Sequence, residues 1–223
     1  MVCDSAPPFR ARAWARVGAR RAVDQKKSFS ASEQERPDVE TRRQAFWGQV
    51  AHLSRGRLIF VDESGCNTAM TPRYARAPIG ERAQASRPVN RGKNISIVGA
   101  VRLRGVVSVR AFEGSINVAK FLDFLERDLL PYTRFGDVIV MDNLSVHRDP
   151  VVLERIANAG VRVLFLPPYS PEFNPIELYW SSFKTALRRL EARNRQDLLD
   201  AIRATTAALQ LSFRALFRHA AYA

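Results

Sequence analysis

Three carboxylates in this chain stand where short apolar or rigid runs stop. Leu58-Ile-Phe-Val61 leads into Asp62, Val138-Ile-Val-Met141 leads into Asp142, and Glu177 follows the proline-rich run from Pro167 to Pro175. A short, continuous apolar run reads as a strand buried on both faces, and an acid at its end is delivered to the sheet's edge. Asn174-Pro175 reads as a helix N-cap followed by proline at the first helical position, which puts Glu177 in the first turn. Three acids from three elements can therefore converge. Converging carboxylate oxygens suit hard divalent cations such as Mg²⁺ or Mn²⁺. Cys3 and Cys66, with His52, His147 and His219 scattered, have none of the spacing of a zinc site.

Each acid also has a plainer reading. Glu177, three residues after Asn174, is equally placed to be the acidic partner of a capping box. Asp142-Asn143 reads as an ordinary turn, and Asp62 or Glu63 as a solvated strand end. His147 is a polar residue approaching a helix or a second layer behind a metal ligand. Lys184, two turns after Glu177 on the same face, is either a solvated lysine or a phosphate contact. Tyr179 and Trp180 fit the apolar stripe Ile176, Tyr179, Trp180, Phe183, Leu187 and Leu190, and so belong to the core before any base-stacking role.

The elements that must position these residues follow from period and punctuation. Val39, Phe46, Trp47 and Val50 recur at helical spacing. Asn94–Leu103 and Val106–Phe112 flank Arg104-Gly105 as an antiparallel hairpin. Asn117 opens a helix that ends at Pro131, Val151–Ala159 is a short helix closed by Gly160, and Val161–Leu166 is a strand. A helix starts at Pro175, and a last one is expected from Gln196 to Leu211. A hairpin together with crossover strands implies an α/β protein, with a mixed sheet carrying helices on its faces.

The chain has 223 residues, 46% of them hydrophobic, enough for one sizeable core. Its net charge of +13 suits a long polyanion such as nucleic acid better than a small anionic substrate. No stretch approaches the roughly 20 apolar residues of a spanning helix, so no membrane is expected. The lack of a disulfide framework fits a reducing, cytoplasmic location. Residues 1–27 hold seven Arg or Lys against two acids, and Thr71 to Arg110 holds nine basic residues against Glu81.

Phe60-Val-Asp-Glu-Ser-Gly65, Val140-Met-Asp-Asn-Leu-Ser-Val-His147 and Leu166-Pro-Pro-Tyr-Ser-Pro-Glu-Phe-Asn-Pro-Ile-Glu-Leu-Tyr-Trp180 together resemble the DDE-type transposases. The likeness is to the bacterial IS630-type group, related to Tc1/mariner elements. The resemblance covers about residues 57–190. The 34 residues between Asp142 and Glu177 look like the family's spacing between its second aspartate and final glutamate, and Asp62 matches its first aspartate. By that match Glu63 is a neighbour, not a ligand. The resemblance implies a ribonuclease-H-like mixed five-stranded sheet flanked by helices. It also implies that Asp62, Asp142 and Glu177 are both catalytic residues and metal ligands, with Mg²⁺ (or Mn²⁺) as cofactor. Two such ions, about 3.5–4 Å apart, stabilise the attacking and leaving oxygens of an in-line phosphoryl transfer. The implied partners are double-stranded DNA, as transposon ends and target, and a homodimer is left open.

The resulting expectation is a DNA transposase catalytic domain that cleaves and transfers strands. Its rivals are a catalytically silent DNA-binding or dimerisation fragment and a general ribonuclease-H-like metal nuclease. Residues 1–27 are expected to be a basic arm, 28–55 a linker and helix, and 56–223 the catalytic domain. Relatives of this type carry a helix-turn-helix region, and the residues before Lys26-Lys27 show no pair of amphipathic helices with a tight turn. A truncated or altered N-terminus is the expectation there.

Overall fold

Successive side chains on a strand alternate between the two faces of a sheet, and the apolar runs of this chain are long enough to fill both. In the computed structural model, which describes residues 32–222, they form one five-stranded sheet. The strands are β1 (Leu58–Cys66), β2 (Ile95–Arg102), β3 (Gly105–Glu113), β4 (Val138–Met141) and β5 (Arg162–Phe165), in the order β3-β2-β1-β4-β5. β1, β2 and β3 pair antiparallel, while β4 and β5 continue the sheet parallel to β1. This is the mixed five-stranded sheet expected. The basic arm of residues 1–27 lies outside the described residues.

Among the described residues six α-helices cover the faces: α1 (Pro37–Val50), α2 (Val118–Phe124), α3 (Pro150–Asn158), α4 (Pro175–Leu190), α5 (Arg195–Ala208) and α6 (Phe213–His219). Leu58 and Phe60 of β1 pack with Phe46 of α1, Ile176 and Trp180 of α4, and Phe217 of α6. Ile59 and Val61 face the other way, onto Phe121 and Phe124 of α2 and Val152 and Ile156 of α3. Each of these buried side chains contributes roughly 1.5–3 kcal/mol by leaving water. Because Phe46 and Val50 lie in the same core as the sheet, α1 is packed onto it rather than spaced from it. No helix among the described residues is long and apolar enough to cross a membrane.

Three local features differ from the sequence reading. β1 does not stop at Asp62: it runs on to Cys66, paired with β2 down to Cys66 opposite Ile95. The helix opened by Asn117 widens after Phe124 into a π turn over Leu125–Leu129, and Pro131 lies in its closing turn. The helix expected up to Leu211 ends at Ala208, and α6 follows as a separate short helix whose Phe217 is fully buried.

Candidate active site

Strand register places the first two acids. Phe60 of β1 pairs with Val140 of β4, so the next residues on that same face of each chain are Asp62 and Asp142. α4 packs across this face, and its first turn carries Glu177. All three acids line one cleft of about 720 Å³, walled by α1 and by the Leu164–Pro171 segment, with Arg42 and Arg148 among the lining cations. Glu63, one residue from Asp62, belongs to the opposite face by the same alternation.

Each carboxylate is held in its own way. Gly99 of β2 pairs with Asp62, and a Cβ at Gly99 would come within 2.7 Å of the Trp180 ring. With no side chain there, the indole lies against β2 and its Nε1–H donates to Asp62 Oδ2 at 3.1 Å. Asp142 Oδ1 accepts from the Leu144 amide at 3.1 Å and from His147 Nδ1 at 2.8 Å. Asn143 Nδ2 donates to the Leu166 carbonyl at 2.7 Å, tying the exits of β4 and β5 together. The capping box does not form. The Asn174 amide already donates to the Pro171 carbonyl, Asn174 Oδ1 accepts from the Ile176 amide, and the Glu177 carboxylate makes no hydrogen bond among the described residues.

The charges of the cleft are out of balance. Burial, then the charges of Glu177 and Glu63, push the Asp62 carboxyl up to about 8; the Glu63 amide opposes this and Asp142 adds to it. Loss of water raises Glu177 as well, with Lys184 pulling the other way and Asp142 adding. Burial alone would raise Asp142, but the hydrogen bonds from His147 and the Leu144 amide, with the imidazole's charge, hold its carboxyl below its usual range. Burial alone would likewise lower His147, yet its bonds to Asp142 and Glu63 push it up to about 9.

Such a cluster favours a cation. Asp62 Oδ1, Asp142 Oδ2 and both Glu177 oxygens have no hydrogen-bond partner among the described residues, so donors of the right type are free. No group of three or more His, Cys, Asp or Glu among the described residues is arranged to hold a metal ion by itself. Mg²⁺ commonly keeps several waters and is bound by one or two carboxylates plus substrate phosphates.

The structure thus brings Asp62, Asp142 and Glu177 together, and buries Tyr179 and Trp180 in the core as the stripe indicated. Lys184 acts on Glu177 through its charge but does not line the cleft. The Trp180 donor and the Gly99 seat were not foreseen. A glycine inside an otherwise apolar strand is the signal that points to such a close approach.

Three comparisons bear on the site. The family model of the DDE superfamily endonuclease domain matches residues 57–199. The Transposable element Tcb2 transposase of Caenorhabditis briggsae is 25% identical over 177 residues, which are 73% of this chain and 65% of that protein. The Mos1 transposase paired-end complex with left transposon end superposes with a TM-score of 0.70 at 18% identity, over 90% of this chain and 63% of that one. The mariner Mos1 paired end complex with Mg also gives 0.70, at 16% identity, over 91% and 64%. The structural likeness bears out the ribonuclease-H-like fold. This chain spans a little under two thirds of the length of these relatives.

Proposed function

This chain belongs to the DDE superfamily endonuclease family, and we propose from that premise that it is the catalytic part of a Tc1/mariner-related transposase of IS630 type. In this reading Asp62, Asp142 and Glu177 are its catalytic residues and metal ligands, and its chemistry is cleavage and transfer of DNA strands. The observation that carries the reading is the convergence of these acids on one cleft, each with an oxygen free and Asp62 pushed up to about 8 by burial and its acidic neighbours. Bound there, Mg²⁺ or Mn²⁺ would supply Lewis acidity to the attacking and leaving oxygens of phosphoryl transfer.

The chain's own residues supply position. Trp180 fixes one oxygen of Asp62, and Leu144 and His147 fix one of Asp142. The Asn174-Pro175 start fixes the turn that carries Glu177. Arg42 and Arg148 line the cleft wall and would meet DNA phosphates there. Double-stranded DNA, as transposon ends and target, is the proposed substrate, the cytoplasm the proposed compartment and a homodimer the proposed assembly. The test is incubation of the purified chain with DNA carrying the element's ends, with and without Mg²⁺ or Mn²⁺. Cut and joined products together support the reading. Cutting without joining points to a general metal nuclease, and binding without cutting to a silent fragment.

A further inference from the structure

His147 sits behind the cleft, in the turn Ser145–Arg148 that follows Asp142. Its side chain is fully buried, with its ring 4.6 Å from that of Phe121. Nδ1 lies 2.8 Å from Asp142 Oδ1, and Nε2 lies 2.8 Å from Glu63 Oε1. Two carboxylate acceptors on the two ring nitrogens require both N–H groups, so the ring donates in both directions as an imidazolium. Glu63 faces away from Asp62 across the sheet, and the one hydrogen-bond partner of its carboxylate among the described residues is this ring. Its other oxygen, Oε2, is buried without a partner among the described residues, so the bond from the imidazole to Oε1 is the one that holds this carboxylate.

The arrangement has a consequence for Asp142. Its Oδ1 takes the bonds from His147 and from the Leu144 amide, and Oδ2 is left without a partner among the described residues. A carboxylate pinned through one oxygen presents the other in a fixed direction. We propose that His147, backed by Glu63, is a positioning residue that locks Asp142 so that Oδ2 is presented to the cleft as a metal ligand. This inference rests on the metal-cleft reading above. Partners that orient a ligand from behind commonly change metal affinity by about 10–100-fold when removed.

The test is direct titration of the full chain with Mn²⁺, followed by electron paramagnetic resonance, on the parent, His147→Leu, His147→Gln and Asp142→Ala, with a circular dichroism melt of each. Leu fills the same apolar surroundings with no donor, whereas Gln keeps one N–H for Asp142. A packing role predicts that Leu is tolerated as well as Gln. The positioning role predicts that Leu weakens Mn²⁺ binding about 10–100-fold. Gln should weaken it by less, roughly fivefold for a charge-assisted bond turned neutral. Should the Leu variant fail to fold, the Gln variant decides. If Asp142→Ala loses Mn²⁺ affinity while the folded His147 variants bind as the parent does, the positioning inference is overturned and the metal cleft stands. If Asp142→Ala binds Mn²⁺ as the parent does, the metal cleft itself is wrong, and the inference falls with it.

Discussion

Asp62 is the residue on which the cleft's electrostatic strain is concentrated, and pH makes that strain measurable. Its carboxyl moves from 3.8 to about 8 on folding, so between those values the folded chain holds a proton that the unfolded chain has released. Stability from this group is full below about pH 4 and is lost as pH rises to about 8. His147 moves from 6.5 to about 9, so its contribution is present below 6.5 and is lost through about 9. The two have the same sign. Asp142, held low, has the opposite sign but acts only on acidification. The metal-free protein is therefore expected to melt at falling temperature from about pH 6 to pH 9 in a chelator, and a flat or rising trend would contradict this assignment. Asp62→Asn removes the buried charge and should raise the melting temperature near pH 8, by about 2–4 °C for each kcal/mol relieved. Asp142 and Glu177 were legible in the sequence because each sits at an element boundary that local pattern marks, and Asp62 because it ends an apolar run, although its strand continues. The partners of His147 and Trp180 were not, because Glu63 lies 84 residues from His147 and Asp62 lies 118 from Trp180.

At the scale of elements, the contact of α4 with β2 sets the geometry of the cleft. Gly99→Ala puts a Cβ within 2.7 Å of the Trp180 ring, and that ring is buried among Tyr179 and Phe183 with little room to retreat. Overpacking of this kind costs about 1–3 kcal/mol. It should also pull the indole N–H from Asp62 and shift Glu177, which lies one turn earlier on the same helix. The expected outcome is a modest loss in thermal melts and a larger loss in metal-dependent cleavage. Cleavage equal to that of the parent would show that α4 does not need this seat. Most elements could be read from period and punctuation. The run of β1 past Asp62 could not, because Glu63, Ser64 and Gly65 carry no strand pattern and are held by their ladder with β2, some thirty residues on. α6 was missed because it spans seven residues and arginines interrupt its apolar positions.

At the scale of the whole molecule, the charge of +13 is the property that would meet the proposed DNA substrate. Basic residues crowd the segment between β1 and β2, where Arg73, Arg76, Arg82, Arg87 and Arg91 are all exposed. Binding to DNA should therefore be dominated by phosphate contacts. With 6–10 such contacts, affinity falls by about 10³–10⁵ between roughly 50 and 200 mM salt. A fluorescence anisotropy titration over that range checks this, and a nearly flat dependence would contradict it. Composition alone carries the expectation of a polyanion partner, while the place of Arg42 and Arg148 on the cleft wall depends on the packing of α1 and of the turn Ser145–Arg148. The most direct test of the central claim is cleavage of end-bearing DNA by the parent, Asp62→Ala, Asp142→Ala and Glu177→Ala, with and without Mg²⁺ or Mn²⁺. The account predicts cutting by the parent only with metal, and background cutting by every variant with an unchanged circular dichroism spectrum. Undiminished cutting by any of the three folded variants, or metal-independent cutting by the parent, would contradict it.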